Sequence, residues 1–268
     1  MRRTVGLIMS LIIIVCFAGC NRRAERIEVF SPDFPNLRKL TACEFDSDKN
    51  LKYYSGDSSY LPFLSCRIEK KGASIIVRKT RENEGYTHII LLDYGYFIGV
   101  NIGEFDGWVR FYPYNSVCFG LESTLVVNEN CLGFIKISNQ KGYLVTEDYR
   151  SMSPFNCFGH LFELNADYDS ETVKWEKIAE TDTAPFAFTY DEETESVYMA
   201  TCTSIIMIDK NHAVKIVKET EMPFEILINS MIKIGNSLFC GSFTGIYEYR
   251  IDSDEEFWYP FDFDKDFR

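Results

Sequence analysis

The stretch Ser237-Leu-Phe-Cys-Gly-Ser-Phe-Thr-Gly-Ile-Tyr-Glu-Tyr-Arg250 decides how this chain is read. It holds a short apolar run, a Gly-containing turn, and a second run with an aromatic at alternate positions. A period of two puts every second side chain on one face, the mark of a half-buried strand. The pattern stands 41 positions earlier, without a gap, as Ser196-Val-Tyr-Met-Ala-Thr-Cys-Thr-Ser-Ile-Ile-Met-Ile-Asp209. Self-similarity at such a period points to a repeat array of β units.

Working outward, each copy expands to four strands. The last copy covers 224–234, 237–242, 245–250 and 256–261, and the one before it 185–190, 196–201, 204–209 and 213–218. Met222–Ile234 has a proline suited to a helix start. However, Phe224, Ile226 and Ile228 alternate, as does Pro185–Tyr190, and two aligned copies with a period of two favour strand. A looser copy runs through 132–137, 142–146, 159–164 and 173–178, and a fourth shows Tyr96–Val100 and Gly107–Phe111. Third strands then start at Gly107, Gly159, Ser204 and Gly245, with spacings of 52, 45 and 41 that insertions in surface hairpins explain. Residues 38–80, ending in the strand-like Ala73–Arg78, leave room for one more unit. No linker rich in Gly, Ser or Pro interrupts 38–261, so residues 38–268 read as a single domain. An aromatic fraction of 15% suits pleated, half-buried surfaces.

These units resemble propeller blades, most of all the two-component regulator propeller repeat of bacterial sensor ectodomains and other WD-like repeats. The resemblance covers the last three units better than the first two, and no Trp-Asp dipeptide accompanies it. It implies an all-β fold, a β-propeller of five four-stranded blades with six possible; a β-sandwich or β-solenoid is the alternative. One four-stranded blade cannot bury both its faces, so blades stack into a ring.

The N-terminus carries an address. Arg2 and Arg3 precede a nearly unbroken apolar run, Val5–Phe17. That run is too short for a span of roughly 20 residues and suits a signal-peptide core. It ends in Phe17-Ala18-Gly19-Cys20, which resembles the lipobox of bacterial lipoproteins. The resemblance implies that residues 1–19 are removed and that Cys20 is the lipidation site, its acylated thiol anchoring the chain in membrane lipid. Phe17 departs from the more usual Leu. Residues 20–37 read as the lipidated Cys and a polar tether carrying two prolines. The expected location is the extracytoplasmic face of a membrane.

Net charge is −12, more negative still once Arg2 and Arg3 leave. An acidic surface repels phosphate backbones, which argues against nucleic acid as a partner. After Cys20 the chain keeps Cys43, Cys66, Cys118, Cys131, Cys157, Cys202 and Cys240, an odd number that cannot all pair within one chain. With no Cys-x-x-Cys, neither a zinc knuckle nor a thioredoxin-like site is expected. Cys202 and Cys240 read as small buried groups within apolar strands.

His88, His160 and His212 show no ligand or triad spacing, and no nucleophile elbow, phosphate loop or dinucleotide fingerprint occurs. No catalytic residue, metal or cofactor is therefore expected. Two acidic loops mimic calcium-loop spacing: Asp46, Asp48 and Asn50 with Asp57, and Asn165, Asp167 and Asp169 with Glu176. Leu51 and Ser170 stand where the sharp turn asks for Gly, so an interstrand turn is the simpler reading. Trp108, Trp175 and Trp258 fall in strands and read as packing residues. The functional expectation is a non-enzymatic, membrane-anchored module whose propeller loops bind a protein, peptide or glycan. The alternative is a surface carbohydrate-active hydrolase with carboxylates at the propeller axis.

Overall fold

The computed structural model describes residues 28–30, 40–41, 64–71, 74–81, 87–102, 107–114, 123–149, 157–219, 228–242 and 245–260. Strands β1 (Glu28–Phe30), β3 (Leu64–Lys71) and β4 (Ser74–Arg81) form sheet I. Sheet II holds β5 (Thr87–Leu92), β6 (Gly95–Val100), β7 (Trp108–Pro113) and β8 (Thr124–Val127). Sheet III holds β9 (Asn130–Lys136), β10 (Lys141–Tyr149), β11 (Cys157–Asp167) and β12 (Thr172–Thr181). Sheet IV comprises β13 (Ala187–Asp191), β14 (Ser196–Ala200), β15 (Ser204–Ile208) and β16 (Val214–Glu219). Sheet V comprises β17 (Ile228–Ile234), β18 (Ser237–Ser242), β19 (Gly245–Arg250) and β20 (Glu255–Pro260), with β2 (Leu40–Thr41) paired along β20.

Sheets II to V are antiparallel meanders in which each strand pairs with its successor, so spatial order repeats chain order. The repeat read from Ser237–Arg250 is therefore real: that stretch is β18 and β19, and Ser196–Asp209 is β14 and β15. The proposed starts of the third strands fall within two residues of β7, β11, β15 and β19. Residues 228–234 are strand, which settles the helix question for the described part of that segment. Strands β5 and β8 complete the fourth unit. Sheet I differs from the expected four-stranded unit: it has three described strands, and β1 runs parallel to β4.

The stacking explains the hydrophobic pattern. In β10, Leu144 faces sheet II while Tyr143 and Val145 face sheet IV, so both sides of the strand are buried. Strands β14 and β18 are likewise buried at every position, which is why they read as continuous apolar runs. Fourth strands lie at the margin, where Val214 and Ile216 of β16 are exposed. Three cores follow, one between each pair of neighbours from II to V; the last, between IV and V, centres on Tyr198, Leu238 and Tyr247. Lys233 and Asp191 add a buried ion pair at that interface, 2.9 Å apart. Sheet V in turn meets sheet I, where the Ile68 amide donates to the Ser230 hydroxyl at 3.1 Å.

Hairpin turns set the register. The β17–β18 turn is two residues, Gly235-Asn236, with Gly235 at φ 54°, a left-handed conformation that a residue without Cβ adopts at no steric cost. Non-glycine residues hold the same handedness in four other hairpins: Glu171, Glu195, His212 and Asp254.

Candidate functional site: a buried histidine among carboxylates

The chemistry of the described residues concentrates at one end of sheet III. Laterally paired residues there form a row, Cys131–Thr146–His160–Glu180, across all four strands. The row continues the face on which Leu144 and Phe162 pack toward sheet II. Toward the strand ends that face changes from apolar to polar, with Asp148 two residues beyond Thr146 on β10. Glu129 enters from the bend between β8 and β9. Asn130 beside it is buried, and its Oδ1 accepts the Ile102 amide from sheet II at 3.2 Å, which ties this corner to the neighbouring sheet.

His160 is only 3% exposed, and both of its ring nitrogens face carboxylates. Nδ1 lies 2.9 Å from Glu129 Oε2, and Nε2 lies 3.1 Å from Glu180 Oε2. Thr146 donates its hydroxyl to the same Glu129 oxygen. Lys177 donates to Glu180 at 2.8 Å; this bond, with a lesser contribution from His160, holds the Glu180 carboxyl below its ordinary range. A carboxylate only accepts hydrogen bonds, so a neutral imidazole satisfies one of its two partners and leaves a lone pair facing the other. Among the described residues, Glu129, Asp148 and His160 also form a group of potential ligands whose donor atoms all lie within 4.8 Å of one another.

The sequence reading missed this cluster. It placed 142–146 and 159–164 on neighbouring strands but stopped β10 before Asp148 and β12 before Glu180. Both strands run on past the point where apolar alternation ends, and the polar groups sit on those extensions. Extending the β10–β11 hairpin in register pairs Thr146 with His160, but a bulge between Leu161 and Phe162 brings Glu180 rather than Ala179 opposite His160, and no local pattern announces that shift.

The other histidines have different settings. His88 pairs with Gly99 on β5 and is partly exposed, and His212 occupies a left-handed turn position. The Asn165–Glu176 loop is an interstrand turn: Asp167 accepts from Ser170 and the Asp169 amide and pairs with Lys174 at 2.6 Å. Those bonds hold its carboxyl down at about 2. Glu176 pairs with Glu163 further along the strands. Trp175 packs edge-on against Phe97 at 6.0 Å and Trp258 against Tyr247 at 5.1 Å, so both are packing residues. Trp108 is partly exposed beneath the Arg110 guanidinium. Cys131, Cys157 and Cys240 are buried; Cys202, read as part of a strand, instead sits in the bend after β14, because the strand ends at Ala200. Cys20 and the Asp46–Asp57 loop lie outside the described residues, and no helix among the described residues is long and apolar enough to cross a membrane.

No family model matches the chain, and no curated protein matches it. Several solved structures resemble parts of it. The extracellular domain of the hybrid two-component system BT4673 from B. thetaiotaomicron is 16% identical with a TM-score of 0.42, over 67% of this chain and 23% of that one. PorZ, a surface component of the type-IX secretion system of Porphyromonas gingivalis, is 13% identical with a TM-score of 0.40, over 70% and 30%. A puromycin hydrolase is 8% identical with a TM-score of 0.40, over 68% and 33%. The chain thus spans a third or less of the length of these neighbours, and likeness at this level assigns no function.

Proposed function

We propose that this chain is an extracytoplasmic β-propeller, tethered to a membrane through acylated Cys20, that works as a non-enzymatic binding module for a protein, peptide or glycan. The observation that carries the ring is the meeting of the chain's two ends. Strand β2 adds to β20, and sheet I packs on sheet V, the last in the chain. Closure then brings sheet I, the unit preceding sheet II, against the apolar outer face of that sheet, where Ile89 and Leu91 are 58% and 55% exposed. In such a ring the first strands line the axis, and Asp148, His160 and Glu180 lie on the second to fourth strands, with Glu129 alone entering beside the first. That placement favours a binding module over a hydrolase with axial carboxylates.

Each part has its test. In the native host a clickable fatty acid labels the wild-type protein and leaves Cys20→Ala unlabelled; label retained by that variant refutes the anchor. Ile89→Asp lowers the urea midpoint if the ring closes over that face, and an unchanged midpoint refutes closure. Turnover of aryl glycosides by the purified wild-type protein, lost on removal of a carboxylate, overturns the non-enzymatic reading. Saturable binding to members of a glycan or peptide panel without turnover supports it.

A further inference from the structure

The cluster at the end of sheet III is built as a ligand set. Glu129, Asp148 and one ring nitrogen of His160 offer three donor atoms within 4.8 Å of one another, from a bend and two adjacent strands. Bonds of about 2.0–2.2 Å to one ion put neighbouring donors about 3.0–3.5 Å apart, so side-chain shifts of about an ångström bring the three onto one ion. Glu180 supplies a second, separate observation. A histidine that binds a metal through one nitrogen characteristically donates its other N–H to a carboxylate, which fixes tautomer and ring orientation. Glu180 stands in that place at Nε2, and Lys177 keeps it ionised and oriented. In the tautomer that donates from Nε2, Nδ1 turns its lone pair toward Glu129 Oε2, 2.9 Å away, which is the arrangement a shared cation uses. Thr146 donates its hydroxyl to the same Glu129 oxygen and so helps to fix that carboxylate.

We infer that Glu129, Asp148 and His160 Nδ1 bind one divalent cation of the zinc or manganese type, with Glu180 as the carboxylate that orients the histidine. The imidazole selects against calcium and magnesium, which prefer all-oxygen shells. Three protein donors leave at least one coordination position for water or for an oxygen atom of a bound ligand.

The test uses the full-length protein in detergent, stripped with chelator and exchanged into metal-free buffer. Mn²⁺, which thiolates bind weakly, is titrated with detection by electron paramagnetic resonance, and Zn²⁺ by calorimetry. The expected result is one saturable equivalent per chain for each ion, none for Ca²⁺ at the same concentration, and a rise in melting temperature with bound metal. Asp148→Asn and Glu129→Gln, near-isosteric changes, each abolish the saturable equivalent while the far-ultraviolet circular dichroism stays that of the wild type. Glu180→Gln, which leaves the three ligands in place, weakens binding about 10–100-fold. Absence of a saturable equivalent in folded wild-type protein overturns the site. So does binding that survives both Asp148→Asn and Glu129→Gln, which marks the metal as adventitious.

Discussion

Removing Lys233 tests whether sheets IV and V are held by charge as well as by packing. The ammonium sits 2.9 Å from Asp191, and the two side chains are 7% and 10% exposed. Lys233 also donates to the Gly235 carbonyl at 2.8 Å and lies over the Tyr198 ring, while Asp191 accepts from Thr194 at 2.6 Å. In Lys233→Met the aliphatic stem is kept and Asp191 is left with the Thr194 hydroxyl and the Glu193 amide as donors but no counter-charge in a nearly dry interface. Breaking a buried pair from one side costs about 3–5 kcal/mol, most of it the stranded charge. With a urea m-value of about 2–3 kcal/mol/M, the midpoint falls by roughly 1–2 M at neutral pH. The double variant Lys233→Met/Asp191→Leu recovers most of that loss, because no charge remains buried. The pH dependence carries a sign of its own. Burial alone raises the Asp191 carboxyl, but the bonds from Thr194 and Lys233 outweigh it and hold the group below its ordinary value. Its stabilisation is therefore present above the unfolded value of about 3.9 and is lost as pH falls through the lower folded value. The deficit of Lys233→Met is thus greatest above about pH 4 and shrinks in acid. Additive losses in the double variant, or a deficit that does not change with pH, refute the reasoning.

Three further outcomes are expected. Gly99→Ala places a Cβ on the Cys131 side chain, so its urea midpoint drops by an amount corresponding to about 1–3 kcal/mol, and Cys131→Ala in the same chain restores part of it. Burial pushes the Cys131 and Cys240 thiols up to about 12, so both resist a disulfide reagent at pH 8 in the folded protein and react after unfolding. Because the folded state holds those protons where the unfolded chain releases them, stability falls as pH rises above about 8.5, and less steeply in Cys240→Ala measured against its own neutral-pH value. Glu195→Gly relieves a left-handed non-glycine position at φ 51° and raises the melting temperature slightly, a net gain of up to about 1 kcal/mol after the entropy cost of glycine.

The parts of the fold legible in the sequence are those where one rule acts alone. Strands β14, β15, β18 and β19 carry buried side chains on both faces or strict alternation, and their copies align without a gap. Strand β8 was illegible because Thr124 and Leu125 are exposed and Val126 and Val127 are half-buried, so no face stands out over four residues. Strand β16 was read despite its exposure only because its place in the repeat was already fixed. Sheet I eluded the repeat for another reason. Its β1–β4 pairing is parallel and joins residues more than forty positions apart, and no local pattern encodes such a partner.

The candidate site was illegible for the reason that makes it chemically distinctive. A stack of sheets packed on both faces admits an ionisable group within a strand only where partners satisfy it, as Arg250 and Tyr259 satisfy buried Glu248 in β19, because an unpaired charge faces a steep desolvation cost. In sheet III the polar groups converge toward the strand ends, beyond the last apolar pair, and there the periodic signal stops. Thr146-Glu147-Asp148 therefore resembles the start of a loop, yet it is the last third of a nine-residue strand whose register carries Thr146 to His160 and on to Glu180. Glu129 arrives from the bend that links two sheets, 31 positions from the histidine it touches. Spacing rules for triads and metal motifs look along one element, whereas this cluster is assembled across four. A repeat fold can in this way hold a chemical site that no copy of the repeat contains, since the cluster uses one sheet's particular departures from the shared pattern. The other units bear this out at the same position. On the face turned toward the preceding sheet, the third-strand residue at the level of His160 is Trp108 in sheet II, Ser204 in sheet IV and Gly245 in sheet V. An indole, a hydroxyl and a bare glycine all serve at that level, so the architecture sets no ionisable group there, and the histidine with its carboxylates is an addition to the fold rather than a requirement of it.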